Sequence, residues 1–231
     1  MKKKKKLRNG LMARKLVTVT DTKSLISEQF RTIRTNIRFS LPNQEIKSIL
    51  ITSSIPGEGK STNAANLGVV FAQEGKRVII IDADMRKPTL HHTFSTLNIC
   101  GLSDVLSKQE EYFNAIQKTT VEGLSVIPSG PLPPNPVELL SSKTMDILME
   151  DLKKDYDIII FDAPPLLSVS DAQILSNKCD GTLLIVSMDK VQRVEVLKAK
   201  ATLASSNAKI LGVVLNNIKI PKKHYYQAYG S

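Results

Sequence analysis

The sequence predicts a three-layer α/β domain, in which a mostly parallel central sheet carries helices on both faces. Short apolar runs that suit strands alternate with longer stretches that suit helices, as expected when helical crossovers join parallel strands. The strand-like runs lie near 48–53, 78–82, 124–127, 157–162, 182–187 and 210–215. The helical stretches lie near 24–40, 61–74, 111–118, 136–154, 171–178 and 191–206. The proline-rich stretch 128–136 suits neither element and predicts a rigid loop.

Length and composition fit one folded domain. The chain has 231 residues, of which 42% are hydrophobic, enough to bury a single large core. No uninterrupted apolar run reaches the ~18 residues of a membrane span, and the lysine-rich start lacks the apolar region of a signal peptide. We expect a flexible basic arm at 1–20, a folded domain at 21–220 and a flexible tail at 221–231.

A glycine-rich loop joins the first strand-like run to a helix start. Its residues are Pro56, Gly57, Glu58, Gly59, Lys60, Ser61 and Thr62. Glycines let backbone N–H groups close on a phosphate, and the helix N-terminus adds its positive dipole. Lys60 can reach the β- and γ-oxygens of a nucleotide, and the Ser61 hydroxyl can bind Mg²⁺. Although Ser54 stands where the strict pattern has glycine, we expect this loop to bind a nucleoside triphosphate rather than form an ordinary turn.

Aspartates follow two of the apolar runs. Asp82 and Asp84 end the run at 78–82, and Asp162 ends the run at 157–162. The carboxyl ends of parallel strands meet at one edge of the sheet, where ligands of open α/β folds bind. Each aspartate alone would also suit a turn or a helix cap. Together with the glycine loop, they predict a site for Mg²⁺, which prefers oxygen ligands.

The positive charge of the chain is concentrated at its start. Of 32 lysines and arginines, eight lie in residues 1–15, which contain no acid. The remaining 24 are nearly balanced by 22 acidic residues. Such an arm suits an anionic lipid surface or an acidic partner, with nucleic acid as the rival that we do not expect. A solvated tail that aids solubility is the alternative.

Neither the cysteines nor the histidines predict a metal site or a disulfide. Cys100 and Cys179 are isolated in sequence, which fits a reducing cytoplasm. His91 and His92 are adjacent but have no partner cluster, so we do not expect them to bind a metal.

The C-terminus is rich in tyrosine. Three of the five tyrosines, Tyr225, Tyr226 and Tyr229, lie in the last seven residues, close to Lys222 and Lys223. No apolar periodicity accompanies them, although a packed C-terminal strand is the alternative. Exposed phenols on a flexible end are accessible phosphoryl acceptors, and their phosphorylation would make the tail strongly anionic.

Over almost its whole length the chain resembles bacterial tyrosine kinases of the capsule and exopolysaccharide type, in the form with a separate cytoplasmic kinase. The family's phosphate loop matches Pro56 to Thr62. Its second Walker-type motif, Asp-x-Asp-x-Arg after apolar residues, matches Ile79 to Arg86. Its Walker B motif matches Ile158 to Pro165, and its Pro-Pro-Asn-Pro-x-Glu-Leu-Leu segment matches Pro133 to Leu140. The terminal tyrosine cluster is a short example of the family's.

This resemblance implies a P-loop NTPase fold that uses ATP and Mg²⁺ to phosphorylate tyrosines on neighbouring subunits. It assigns catalysis to Lys60, Asp82, Asp84 and Arg86. It also assigns metal binding to Ser61, Asp82 and Asp162, with Asp82 either coordinating the metal or accepting the tyrosine proton.

The resemblance also implies partners. A Glu-x-x-Arg-x-x-Arg helix that assembles rings in the family is present as Glu28, Arg31 and Arg34, although these would equally suit a solvated helix face. A transmembrane activator or co-polymerase and a cognate phosphatase are implied as well. The activator would hold the kinase at the inner face of the membrane.

Two other functions remain open at this stage. Partition and division-site ATPases have a related fold, but they typically carry a signature lysine where this chain has Ile55. That difference and the tyrosine tail favour the kinase. The other alternative is a nucleotide-binding scaffold that regulates a membrane polysaccharide machine without catalysis.

Overall fold

A seven-stranded sheet forms the centre of the computed structural model, which describes residues 16–41 and 44–218. The strand order is β3-β4-β2-β5-β1-β6-β7, and only the β3–β4 pair is antiparallel. The strands are β1 (Ser48–Ser53), β2 (Val78–Asp82), β3 (Gln117–Lys118), β4 (Leu124–Ile127), β5 (Ile158–Asp162), β6 (Gly181–Ser187) and β7 (Ile210–Asn216). The helices are α1 (Val17–Thr20), α2 (Leu25–Ser40), α3 (Lys60–Ala72), α4 (Leu90–Phe94), α5 (Leu102–Leu106), α6 (Tyr112–Ala115), α7 (Pro136–Ser141), α8 (Lys143–Asp155), α9 (Asp171–Lys178) and α10 (Arg193–Ser205).

The central strands are buried on both faces, which explains their continuous apolar sequences. In β1, Ile49 and Ile51 pack into the cluster under α2 and α3, whereas Leu50 packs into the cluster under α5 and α7 to α10. Successive side chains of a strand point to opposite faces, so one isoleucine-rich run supplies both cores. The three-layer α/β prediction is confirmed.

Some short elements differ from the sequence-based expectation. The stretch 111–118 contains only the single turn α6 and then β3, which closes one edge of the sheet. The stretch 136–154 breaks into α7 and α8 at Ser142, whose extended backbone and Oγ cap α8 through the Met145 N–H at 3.3 Å. The helices α4 and α5 were not predicted, because five-residue helices carry too little periodicity.

The folded domain begins earlier than the predicted boundary at residue 21. Residues 17–20 form α1, and Thr18 is fully buried. Both the N–H and the hydroxyl of Thr18 donate to Asn66 Oδ1, at 3.1 and 2.8 Å, and its carbonyl accepts from Gln73 Nε2 at 2.9 Å. The end of the predicted arm is therefore part of the domain. Its first 15 residues and the tail at 221–231 lie outside the described residues.

Candidate functional site

The predicted phosphate loop lies between the carboxyl end of β1 and the first residue of α3. Gly57 and Gly59 have φ angles of +83° and +93°, in the left-handed region that favours glycine. A Cβ on Gly59 would stand 2.3 Å from Asn216 Nδ2. The loop thus turns directly into the N-terminus of a 13-residue helix, whose unpaired N–H groups and dipole suit a phosphate.

Glu58 holds this loop from inside the protein. Its side chain is fully buried, and its two carboxylate oxygens accept the N–H groups of Ile55 at 2.8 Å and Ser187 at 2.9 Å. The sequence grouped Glu58 with the ATP-binding residues. The structure shows that its carboxylate ties the loop to the end of β6, so only its backbone is available to a nucleotide.

Asn216 and Lys190, which the sequence analysis missed, also support the loop. Asn216 Nδ2 donates to the Glu58 carbonyl at 2.8 Å, and Lys190 Nζ donates to the Gly57 carbonyl at 2.9 Å. Asn216 ends β7, and Lys190 lies just after β6. Like the aspartates, they are polar residues at the carboxyl ends of strands, so the sequence could have identified them.

We predict that Glu58→Gln loosens the loop. One oxygen of glutamine can accept only one of the two buried N–H groups, and the other is left facing an amide NH₂. An unsatisfied buried donor costs about 1–3 kcal/mol. Urea unfolding should show a loss of stability in that range, and calorimetric titration should show weaker ATP binding. Glu122→Gln, at an exposed position, is the matched control; equal behaviour of the two variants would contradict the assigned role.

The Lys60 ammonium lies among carboxylates. Its Nζ is 2.8 Å from Asp84 Oδ2 and 3.5 Å from Asp162 Oδ1, and the residue is only 9% exposed. Burial acts most strongly on this group and lowers its pKa. The charges of Asp162, Asp84 and Asp82 together outweigh burial and leave the pKa of Lys60 above its ordinary value. Lys60 is therefore a fixed cation beside the loop.

Asp82 and Asp162 are register partners at the ends of β2 and β5. Both are fully buried, and Asp82 Oδ2 accepts the N–H groups of Thr89 and Leu90, each at 2.9 Å. Burial, followed by the charge of Asp162, raises the pKa of Asp82 to about 7. Burial also raises the pKa of Asp162, and Lys60 and Ser61 offset this only in part. The two carboxyl groups hold more negative charge than their surroundings compensate.

These residues fit a magnesium ion. The buried oxygens Asp82 Oδ1 and Asp162 Oδ2 accept no hydrogen bond from residues 16–41 and 44–218. The Ser61 hydroxyl lies 3.4 Å from Lys60 Nζ. Within the described ranges, no three His, Cys, Asp or Glu side chains converge into a ready-made metal cluster. Such a site suits Mg²⁺, which usually takes one or two carboxylates and completes its shell with substrate phosphates and water.

Arg86 has a different position from the one its predicted catalytic role suggests. Its Nε and Nη2 donate to the two carboxylate oxygens of Asp171, both at 3.1 Å. Asp171 is fully buried at the start of α9, while the Arg86 side chain is 38% exposed. This bidentate pair fixes the segment after Asp84 against α9. This pairing places the Arg86 guanidinium against the start of α9, and the catalytic role of Arg86 stays a prediction.

The three residues predicted for assembly do not share one free face. Arg31 pairs with Glu28 on α2 and donates to the Thr22 carbonyl at 2.7 Å. Arg34 instead points inward: its Nη1 donates to the Val70 carbonyl of α3 at 2.7 Å, and its side chain is 17% exposed. Arg34 thus joins α2 to α3, and the role of the three residues in assembly stays a prediction.

None of the helices in ranges 16–41 and 44–218 combines the length and apolar character that a membrane span requires. The three predicted acceptor tyrosines lie beyond the described residues, as does the lysine-rich arm.

Comparison with known proteins identifies the family. A family model described as an AAA domain matches residues 46–194. Tyrosine-protein kinase YwqD of Bacillus subtilis (strain 168) is 49% identical over 98% of this chain and 96% of its own length. Tyrosine-protein kinase CpsD of Streptococcus agalactiae serotype III is 41% identical over 83% of this chain and 82% of its own.

Solved structures also match the tyrosine kinases better than the cell division ATPases. The chimerical protein CapA2B2 superposes with a TM-score of 0.86 at 43% identity, covering 89% of this chain and 90% of that one. The Pyrococcus furiosus cell division ATPase MinD has a TM-score of 0.64 at 26% identity, covering 77% and 76%. The fold is shared with the division ATPase, but sequence and coverage favour the kinases. The chain belongs to the bacterial tyrosine-protein kinases, with a P-loop NTPase fold.

Proposed function

We propose that this kinase transfers the γ-phosphoryl group of ATP to tyrosines in the C-terminal tail of a neighbouring subunit. The observation that carries the proposal is the Lys60 ammonium, held 2.8 Å from Asp84 at the start of α3. Phosphoryl transfer needs cationic and N–H groups fixed around the transferred phosphate, and little covalent chemistry from the protein. The loop and α3 supply those groups at one place.

Lys60 provides the principal positive charge. Asp84 and Asp162 balance its charge. The β- and γ-oxygens of ATP would take over part of this role, since they carry the same negative charge. As charge develops on the transferred group, the ammonium and the α3 N-terminus stabilise it.

Asp82 is the proposed acceptor of the tyrosine proton or a metal ligand, and Asp84 supports it. With its pKa raised to about 7, Asp82 is a stronger base than an ordinary aspartate, although still weaker than a phenolate of pKa ~10. Ser61, Asp82 and Asp162 would hold Mg²⁺. The ion would supply positive charge that offsets the negative charge of the triphosphate. Arg86 positions Asp84 by way of Asp171.

The proposed partners follow from the family. A membrane protein that activates the kinase would bring it to the inner face of the membrane, where the basic arm at 1–15 can contact anionic lipid. A phosphatase would reverse the tail phosphorylation. The expected setting is capsule or exopolysaccharide synthesis and export.

The proposed acceptors can be tested with two full-length variants. The enzyme carries Tyr225→Phe, Tyr226→Phe and Tyr229→Phe, and the acceptor carries Lys60→Met with its tail intact. With ATP·Mg²⁺ and an activator segment, we expect phosphotyrosine on the acceptor only when the enzyme is added, and none on the enzyme. Persistent phosphotyrosine on the enzyme would place the acceptors elsewhere. An unlabelled acceptor would exclude transfer between subunits.

We also propose that α2 takes part in assembly, and predict that Arg31→Glu weakens it. The substitution places a second acid beside Glu28 on a partly exposed surface and does not touch the half-buried Arg34 contact with Val70. Light scattering should show a shift towards monomers relative to wild type. Lys198→Glu, on the exposed side of α10, is the control for a general change of charge. If Arg31→Glu and Lys198→Glu have the same mass as wild type, α2 is a solvated face.

A further inference from the structure

The proline-rich loop forms one wall of a groove that the proposed mechanism does not use. This proline groove, of about 400 Å³, lies between the start of α5, the loop at 131–135 and the first turn of α7. Residues that line it include Ser103, Asp104, Pro131, Leu132, Pro133 and Glu138. Leu132 is 68% exposed, and the neighbouring prolines restrict the backbone of its loop.

The groove opens at the same edge of the sheet as the phosphate loop. β4 runs parallel to β2, with Ile127 in register with Ile81. The next residues of the two strands, Pro128 and Asp82, therefore leave the sheet side by side. Adjacent strands are about 4.8 Å apart. The proline-rich loop that lines the groove therefore begins beside Asp82.

Hydrogen bonds hold the groove open in one shape. The Asn98 side chain accepts from Gly130 N–H at 2.9 Å and donates to the Gly130 carbonyl at 3.1 Å. The N–H groups of Leu102 and Ser103 donate to the carbonyls of Pro128 and Ser129 at 2.8 and 2.9 Å. A rigid groove costs little to order when a ligand binds.

The lining of the proline groove is acidic and apolar. Asp104 and Glu138 line the groove, and its described lining contains neither lysine nor arginine. Glu138 is exposed at the first turn of α7 and has no ion-pair partner among residues 16–41 and 44–218. Proline rings and leucine offer flat apolar surface to an aromatic ring. A segment that combines cations with aromatic side chains matches both the acidic and the apolar part of this lining.

The chain itself contains such a segment, at Lys222–Tyr226. We propose that the proline groove holds this segment of a second copy while one of that copy's tyrosines reaches the phosphate loop. The lysines would face Asp104 and Glu138, and a tyrosine ring would lie against the prolines. The inference rests on the proposed tail phosphorylation and adds a docking site that selects the acceptor.

The kinetic test uses the triple-Phe enzyme and the Lys60→Met acceptor described above. Adding Glu138→Lys to the enzyme should raise the KM for the acceptor by roughly five- to tenfold, with a much smaller change in kcat, because charge reversal acts on docking. Replacing Lys222 and Lys223 of the acceptor by Glu should raise KM with the unmodified enzyme and lower it again with Glu138→Lys. Glu122→Lys, an exposed charge reversal just before the amino end of β4, should leave KM unchanged.

A binding measurement separates the groove from the chemistry. Fluorescence anisotropy follows a labelled peptide of residues 217–231 on the full-length enzyme without ATP. Binding that weakens with Glu138→Lys supports the groove even if the tail is never phosphorylated, in which case only the proposed function fails. Equal KM and equal peptide affinity for wild type, Glu138→Lys and Glu122→Lys would overturn the groove while leaving tail phosphorylation intact.

Discussion

Lys60→Met is expected to reduce phosphoryl transfer to the tail by at least a hundred- to thousandfold while the protein remains folded. Removing one well-placed donor at developing charge costs roughly 3–4 kcal/mol of transition-state stabilisation. Lys60 is also the cation nearest to two buried carboxylates, so no other side chain of the site replaces it. The measurement is the initial rate of phosphotyrosine formation on an added acceptor, with circular dichroism to confirm the fold.

The same substitution has a second expected effect, on stability. Without the ammonium, Asp84 and Asp162 lose their counter-charge, and uncompensated buried charge is costly. We expect the variant to unfold at a lower urea concentration than wild type at pH 8. Lys200→Met, on the exposed side of α10, is the control for loss of a lysine. A variant that keeps wild-type phosphotyrosine levels would falsify the role of Lys60.

Asp82→Asn is expected to abolish most activity and to stabilise the metal-free protein. Asparagine Oδ1 can still accept the Thr89 and Leu90 N–H groups, so the local fold is kept. It can neither take the tyrosine proton nor bind Mg²⁺ strongly. Loss of a general base typically costs 10²–10⁴-fold in rate, and we expect a loss of that order. The gain in stability follows from removing a buried charge beside Asp162.

The pH dependence of folding stability tests the role of Asp82 separately. The pKa of Asp82 is about 7 in the folded protein against 3.8 for an ordinary aspartate. Its contribution to stability is therefore full below pH ~4 and is lost as the pH rises through about 7. In EDTA, wild type should be less stable at pH 8 than at pH 5, and Asp82→Asn should lose much of this slope. Asp21→Asn, at an exposed position, is the control; a slope unchanged in Asp82→Asn would exclude Asp82 as its source.

The strands and the phosphate loop were predictable because their signals are local. Continuous isoleucine runs identify doubly covered strands, and the glycine pattern before Lys60 identifies the loop. The sequence also placed Asp82 and Asp162 together, since both end parallel strands. It could not show the direction of Arg34 or the pairing of Arg86 with Asp171. These depend on contacts between residues 36 and 85 positions apart, which no spacing rule describes.

Support of the loop by β7 has a consequence for the synthesis of the chain. Asn216 follows Glu58, whose carbonyl it binds, by 158 residues. This contact cannot form until β7 has left the ribosome and paired with β6. Contacts so distant in sequence form late in folding, after their loop-closure entropy has been overcome. A chain interrupted before β7 would contain every phosphate-loop residue and yet hold that loop incompletely. Full support of the phosphate loop therefore requires that translation has passed residue 216.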